Sequence, residues 1–518
     1  MSDIAEETVW IKKLRTKLPF QKGEFCYTGG MDWGSQVTYI GSTTLREKTV
    51  RFGIKDVDRT KHLSILGRTG AGRGDMLVSM ALQDIERGIG TVFLDATGTS
   101  SRALLERIDP KNQDRLIFLD PSDAEYPYSW NILDDVRVLP RDEQLSALAG
   151  LISHVYNVSE TNCVESAAAL LLDHAGSTLA DFHSLATDEA FRETFFKDRK
   201  EERKTFETEL SCVPDLVAAL EGEGKYIAKD TLIRNLIGQK DSKFTLGEVA
   251  NGKIVVVDFS HIRMYPTRMS PLVRSFVDAA RFLGGTSQAP IALYLHDTVR
   301  YLLESEIDSA FTPGANLALT IADTMQQQAD QERRLYALSR IASVASFAAH
   351  AADRELIEQV FYPFVEADEI TKLDPREFII TLTIDGVRKK PFFATALESA
   401  PKKNIAYQDL VVDARQKYTT TRSKVDASLK VSKGDDSGKK DKPPGGNSPK
   451  GFQDAFRSIF AKQAERTKQQ QEAHTGSASP AAVAPGAPPP APPISVPQQK
   501  REIPEQALKQ MLYVRPVS

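Results

Sequence analysis

Cysteine is scarce: Cys26, Cys163 and Cys212 are widely spaced and form no CxxC pair. That excludes a disulfide framework and a cysteine-held zinc, and it fits a reducing compartment. The eight histidines show no H-x-x-x-H spacing, so a histidine zinc motif is missing too. No apolar run approaches the roughly 20 residues of a membrane-spanning helix. The opening MSDIAEETVWIKKL is acidic before it is basic and lacks an apolar centre, unlike a signal peptide. These absences lead us to expect a cytoplasmic protein that reaches the inner face of a membrane only through partners. Charge of one sign is not in excess either: net −4, with 26% charged residues. What is present is 41% hydrophobic residues in 518 positions, enough for a sizeable core and for two or three folded units.

The charge is unevenly placed. Between Lys402 and Lys468 there are 16 lysines and arginines against 8 acids, so the remainder carries −12. The same region holds SKGDDSGKKDKPPGGNSPKG, and SPAAVAPGAPPPAPPISVP follows. Such Pro, Gly, Ser and Lys content cannot bury enough apolar surface to order itself. Residues 400–518 are therefore expected to be a mostly disordered basic and Pro-rich tail. Two short amphipathic pieces interrupt it, FQDAFRSIFAKQAERTKQQQ from Phe452 and EIPEQALKQML from Glu502. The tail suits non-specific phosphate contacts with DNA, and equally a solvated tether. Its few aromatics offer no base-stacking platform.

Ahead of the tail, residues 1–50 read as a β-rich segment, with VTYIG and KTVRFGI as short strands. HLSILG, TVFLD and RLIFLD follow as apolar β runs, and DMLVSMALQDIERG separates the first two. Its Met76, Leu77, Met80, Ala81 and Ile85 recur at helical spacing. Strand, Gly-rich turn, helix and strand make a βαβ unit and imply a parallel sheet. Residues 51–138 thus form the first part of an α/β core. Residues 139–226 switch to helical patterns alone, an all-α insertion. Strand signals resume over 227–399 with KIVVVDF, APIALYL, NLALTIA and EFIITLTIDG.

GRTGAGRG, from Gly67 through Arg68, Thr69, Gly70, Ala71, Gly72 and Arg73 to Gly74, follows a strand and opens a helix, as a phosphate loop does. In a working loop a lysine reaches the β and γ phosphates and a hydroxyl binds magnesium. Here Arg73 fills the lysine slot, and Gly74 fills the hydroxyl slot with no side chain at all. Asp75 follows and would repel a polyphosphate. A structural glycine turn and a nucleotide site fit this loop alone equally well.

The flanking segments resemble the HerA/FtsK-like ATPases of bacterial type IV secretion and conjugation. The resemblance is carried by FGIKDVDRTKHLSILGRTGAGRG, LQDIERGIGTVFLDATG, IDPKNQDRLIFLDPSDAEYPYSWNIL, IRNLIGQKDSKFTLGEVANGKIVVVDFS, SFAAHAADRELIEQVFYPF and IDGVRKKPFFATAL. It implies a RecA-like core with ATP as ligand, non-specific DNA and secretion-channel components as partners, and a ring of like chains or of an active paralogue. It also implies the site residues. Asp95 belongs to a DPHGD-like strand end. LYLHDTVRYL puts His296 and Asp297 in the Asp-Glu slots that hold a metal's water and orient the attacking water. Thr324 stands where a sensor glutamine is usual, with Gln326 to Gln328 displaced along the chain. Ala348 replaces an expected arginine. Arg281 would serve either as an arginine finger or as a surface ion pair.

Four departures at independent chemical positions, in an otherwise retained pattern, imply a hydrolysis-deficient binding or scaffolding component. They leave magnesium without its hydroxyl ligand. Two alternatives stay open: an active DNA translocase using Arg73 and Asp297, and a tail-mediated adaptor that binds no DNA.

Overall fold

The computed structural model describes residues 36–45, 48–159, 161–222, 224–302, 316–324, 338, 340–350, 353–403 and 406–432. Each apolar run read from the sequence becomes a strand of one sheet. The strands are β1 (Val37–Leu45), β2 (Lys48–Lys55), β3 (Leu63–Leu66), β4 (Gly90–Asp95), β5 (Leu116–Leu119), β6 (Ile254–Asp258) and β7 (Ile291–His296). They continue with β8 (Leu317–Asp323), β9 (Ser343–Phe347), β10 (Glu377–Thr381), the small β11 (Thr383–Ile384) and β12 (Val387–Arg388) pair, and β13 (Phe392–Ala396). The sheet order is β2-β1-β13-β10-β9-β3-β8-β7-β4-β6-β5. From β9 to β5 every neighbouring pair is parallel. From β9 to β2 every pair is antiparallel. The N-terminal hairpin therefore extends the main sheet.

A parallel sheet needs both faces covered, and the strand sequences show it. In β6, Val255 and Val257 face one apolar layer while Ile254 and Val256 face the other. In β7, Leu293 and Leu295 alternate in the same way with Ala292 and Tyr294. One layer packs the helix Arg73–Glu86, whose Met76, Leu77, Met80, Ala81 and Ile85 are all buried as their spacing predicts. The opposite layer packs the helix Pro266–Thr286 and the helical region. This is the expected α/β phosphate-loop core.

Among the described residues, the helical region runs through nine helices from Ile132–Arg137 to Thr231–Ile237, wider at both ends than residues 139–226. Its entry and return are tied together. The Trp130 indole donates to Asp135 (2.6 Å), and the amides of Leu246 and Gly247 donate to the same carboxylate.

Ordered structure also continues past Ala400, where the sequence suggested that the tail begins. The helices Tyr407–Tyr418 and Arg422–Ser432 lie against the core as a strap. Lys403 donates its amide to Glu106 O, and Arg107 binds Ala400 O. Tyr407 packs edge-on to Phe118, and Ser129 donates its amide to Tyr418 O. Tyr407, Leu410, Ala414 and Tyr418 recur at helical spacing on the core-facing side, so this stretch has apolar surface to bury. The Phe452 and Glu502 segments lie outside the described residues.

Candidate functional site: a self-paired phosphate loop

In parallel α/β sheets, ligands bind beyond the carboxyl ends of the strands. Register brings Leu66, Asp323, His296, Asp95 and Asp258 to that edge side by side. The loop Gly67–Gly74 leaves β3 there. Gly67, Gly70 and Gly72 have φ of 148°, 82° and 115°, a region that only glycine adopts freely. Two of them also sit against neighbours. A Cβ at Gly67 would meet Phe347 Cβ at 2.9 Å, and one at Gly72 would meet the Phe347 ring at 3.0 Å. The Arg68 amide donates to Ala348 O, and the Arg376 amide donates to Ala71 O. The loop is therefore seated on β9 and on the start of β10, while Arg68, Thr69 and Gly70 are exposed.

Arg73 does not reach outward. It is buried, and its two terminal nitrogens bind the two Asp297 oxygens at 2.9 and 2.8 Å. Asp297 meets it by adopting a left-handed backbone, φ 54°, immediately after β7. For a residue other than glycine that costs about 1 kcal/mol or more, and tertiary contacts must hold it. Thr324 supplies them: its amide (2.7 Å) and hydroxyl (3.1 Å) both donate to Asp297 Oδ1. Burial alone would raise the Asp297 pKa. The Arg73 guanidinium, the nearby His296 and the Thr324 amide outweigh burial and hold the carboxyl well below its usual range.

His296, in the slot where the resemblance places a metal-holding acid, turns to the other side. Its Nδ1 lies 3.0 Å from Asp95 Oδ1 and 3.2 Å from the Thr97 hydroxyl. Asp95 also accepts from the amides of Thr97 and Ser101. Burial opposes its ionisation, but His296 and these donors lower its pKa to about 2. Asp258 stands next in register with the reverse balance. Burial raises its pKa, the Ser260 donors offset only part of this, and the Asp95 and Asp120 charges add to the rise.

Gly74 is explained by the same cluster. A Cβ there would sit 2.8 Å from the Ser100 hydroxyl oxygen and 3.5 Å from the His296 ring. The space a metal-binding hydroxyl would need is already taken, and Asp297, just after β7, is bound to Arg73. These residues do not fit a magnesium ion held by a loop hydroxyl and a strand-end acid.

Of the residues singled out in the sequence, Gly67–Gly74, Asp95, His296, Asp297 and Thr324 converge here. Arg281 does not join them. On the Pro266–Thr286 helix it lies 3.4 Å from the buried Asp278 and over the Phe282 ring. Gln326 to Gln328 lie outside the described residues. Ser100, Phe347 and Arg376 were not foreseen as part of the site. Ser100 stands in a DATGTSS run that could have marked it, but the other two are brought in by sheet order alone.

The site is thus a glycine-rich loop at the carboxyl edge of a mainly parallel sheet, with the loop's Arg73 and the Asp297 that follows β7 paired to each other. No family model matches the chain, and no curated protein matches it. Solved structures of similar fold include the plasmid coupling protein TrwB in complex with ADP and Mg2+. It is 15% identical, with 68% of this chain and 88% of that chain covered and a TM-score of 0.49. TrwB with the ATP analogue ADPNP gives 16% identity, 74% and 98% coverage and a TM-score of 0.49. VirB4 of Thermoanaerobacter pseudethanolicus gives 13%, 72%, 99% and 0.47.

Proposed function

We propose that this chain is a hydrolysis-deficient component of a type IV secretion or conjugation-type DNA-transfer machine, acting by binding and scaffolding. The observation that carries the loss of hydrolysis is the Arg73–Asp297 pair. It joins the loop cation to the strand-end acid, so neither faces a polyphosphate or a metal's water shell. Thr324 completes the node, its amide and hydroxyl joining the end of β8 to Asp297 and through it to Arg73 of the loop. The core then holds its shape with no nucleotide to bridge these strands. The machine is supplied by the sequence resemblance, which extends from Arg51 to Leu397. DNA, an active paralogue or like chains in a ring, and secretion-channel components are the partners this reading assigns. Among the described residues, no helix is long and apolar enough to cross a membrane, so attachment to a channel would run through such partners.

The test is ATP turnover by the full chain with magnesium, with and without single-stranded DNA, beside Arg73→Ala. We expect no turnover above the variant's background, and an oligomeric state by mass photometry that ATP does not change. DNA-stimulated turnover that disappears in the variant would overturn the proposal and establish an active translocase.

A further inference from the structure

Past β6 the chain makes a hydrogen-bonded turn at the same edge as the phosphate loop, four strands along the sheet from β3. Phe259 and Ile262 are buried, and the Ile262 and Tyr265 amides donate to Phe259 O and Ile262 O. The Tyr301 hydroxyl fixes the turn further by donating to Arg263 O at 2.8 Å. This tied backbone nevertheless holds Met264 77% and Tyr265 53% exposed. The helix Gly224–Lys229 adds Tyr226, 67% exposed. Arg268 joins the two pieces. Its Nε donates to Asp230 at 2.6 Å, and its guanidinium lies over the Tyr265 ring at 5.0 Å. The Asp230 amide donates in turn to Tyr226 O. Lys225, Lys229 and Arg263 are exposed and form no ion pair among the described residues. Asp230 is taken by Arg268, and Glu221 and Glu223 precede the helix rather than lying on it.

Two exposed rings among uncompensated cations match the needs of a strand of unpaired bases. A base gains by stacking on a tyrosine face whatever its sequence, and its phosphate pairs with a lysine or arginine. The Arg268–Tyr265 pile offers one such platform and Tyr226 a second. Duplex DNA keeps its base faces inside the stack and would use only the cations. An anionic lipid surface has the right sign too. Met264, however, is the one aliphatic side chain well exposed among the described residues of this group, a small area for a bilayer interface. The basic tail, poor in aromatics, supplies phosphate contacts without this stacking.

We infer that the turn after β6 and the helix Gly224–Lys229 form a platform for single-stranded nucleic acid. Tyr226 and Tyr265 stack on bases, and Lys225, Lys229 and Arg263 meet phosphates. The inference rests on the reading above for DNA as a partner, and adds the surface, the single-stranded form and the stacking.

The experiment uses the full chain without nucleotide and two fluorescein-labelled strands of about 12 nucleotides, read by anisotropy. One is oligothymidine, and the other is abasic with the same phosphates. The tail's phosphate contacts act on both strands alike, so the ratio of affinities reports the rings. We expect oligothymidine to bind about tenfold or more tighter. Tyr226→Ala with Tyr265→Ala should equalise the two strands. Tyr226→Phe with Tyr265→Phe should keep the preference, because phenylalanine retains the ring. Lys225→Gln with Lys229→Gln should make the slope of log affinity against log salt shallower by about 1.4, from about 0.7 per lost phosphate contact. Equal binding of both strands by the parent, or a preference that survives in the alanine variant or vanishes in the phenylalanine variant, would overturn the inference. So would phosphatidylserine vesicles that bind more tightly than the strand and lose that binding in the alanine variant, which would assign the surface to a membrane. ATP turnover has no part in these readouts. Turnover beside a retained preference would overturn the scaffolding reading alone, and no preference without turnover would overturn this inference alone.

Discussion

At residue scale, the site turns on two side chains 224 positions apart. Arg73 and Asp297 are largely buried, at 4% and 14% side-chain exposure, so their pairing is screened little by solvent. Removing one partner leaves the other's charge buried and unpaired, which typically costs about 3–5 kcal/mol. Arg73→Ala should therefore destabilise the fold by about that much in urea unfolding. Arg73→Met combined with Asp297→Asn should recover most of the loss. The asparagine keeps the Thr324 bonds and tolerates the left-handed backbone, while the methionine fills the arginine's volume without its charge. A double variant destabilised by the sum of the two single losses would show that the pair is not a coupled unit. Arg73's place in the GRTGAGRG frame was legible in the sequence, but its pairing was not. Nothing in the local sequence around GRTGAGRG or LYLHDTVRYL indicates that Arg73 turns inward onto Asp297, because that depends on which strands are neighbours.

At the scale of elements, the strap changes how one sequence segment is understood. RNLIGQ lies within one of the segments that carry the family resemblance. In the structure, Arg234 binds Asp426 of the strap at 2.6 Å. Gln239 and Thr420 both meet the Ser129 hydroxyl. A Cβ on Gly238 would lie 2.9 Å from the Leu429 side chain and 2.7 Å from Arg234 O. The motif is the seat of the Arg422–Ser432 helix. Gly238→Val should unseat that helix. The expected readout is faster amide hydrogen exchange across residues 407–432, with protection of β3, β4 and β7 unchanged. Uniform loss of protection would instead mean that the strap and the core unfold as one unit.

At the scale of the whole molecule, several buried carboxylates depend on cations brought from distant segments. Asp84 is held ionised against its burial by Arg59 and Arg87, with the Tyr294 hydroxyl also donating to it. This joins the segment after the N-terminal hairpin to the phosphate-loop helix and to β7. Asp95 and Asp297 are lowered in the same sense at the other end of the sheet. A carboxylate whose folded-state pKa is depressed contributes stability that is complete above its unfolded value, near 4. That contribution is lost as pH falls through the folded value. The stability contributed by these three carboxylates should thus be level above about pH 5 and fall between about pH 4 and 2. Asp297→Asn should make that fall shallower. Acid unfolding followed by circular dichroism checks both, and an equally steep fall in the variant would remove Asp297 from the account.

The sequence by itself determined the elements and their class. Alternating and continuous apolar runs specify strands, the 76-77-80-81-85 spacing specifies the phosphate-loop helix, and three glycines in a GRTGAGRG frame specify its turn. Those signals are local, because backbone geometry and burial act over a few residues. It also placed Arg73 and Gly74 at the end of that frame. Only the tertiary structure decided what these residues do together. Parallel pairing sets β7 between β4 and β8, and so places Asp297 within reach of Arg73 and Thr324 while His296 turns to Asp95. The strap's docking was decided the same way. Its charged, weakly apolar sequence reads as tail until Leu116, Phe118 and the RNLIGQ segment provide a surface on which its few apolar residues can be buried.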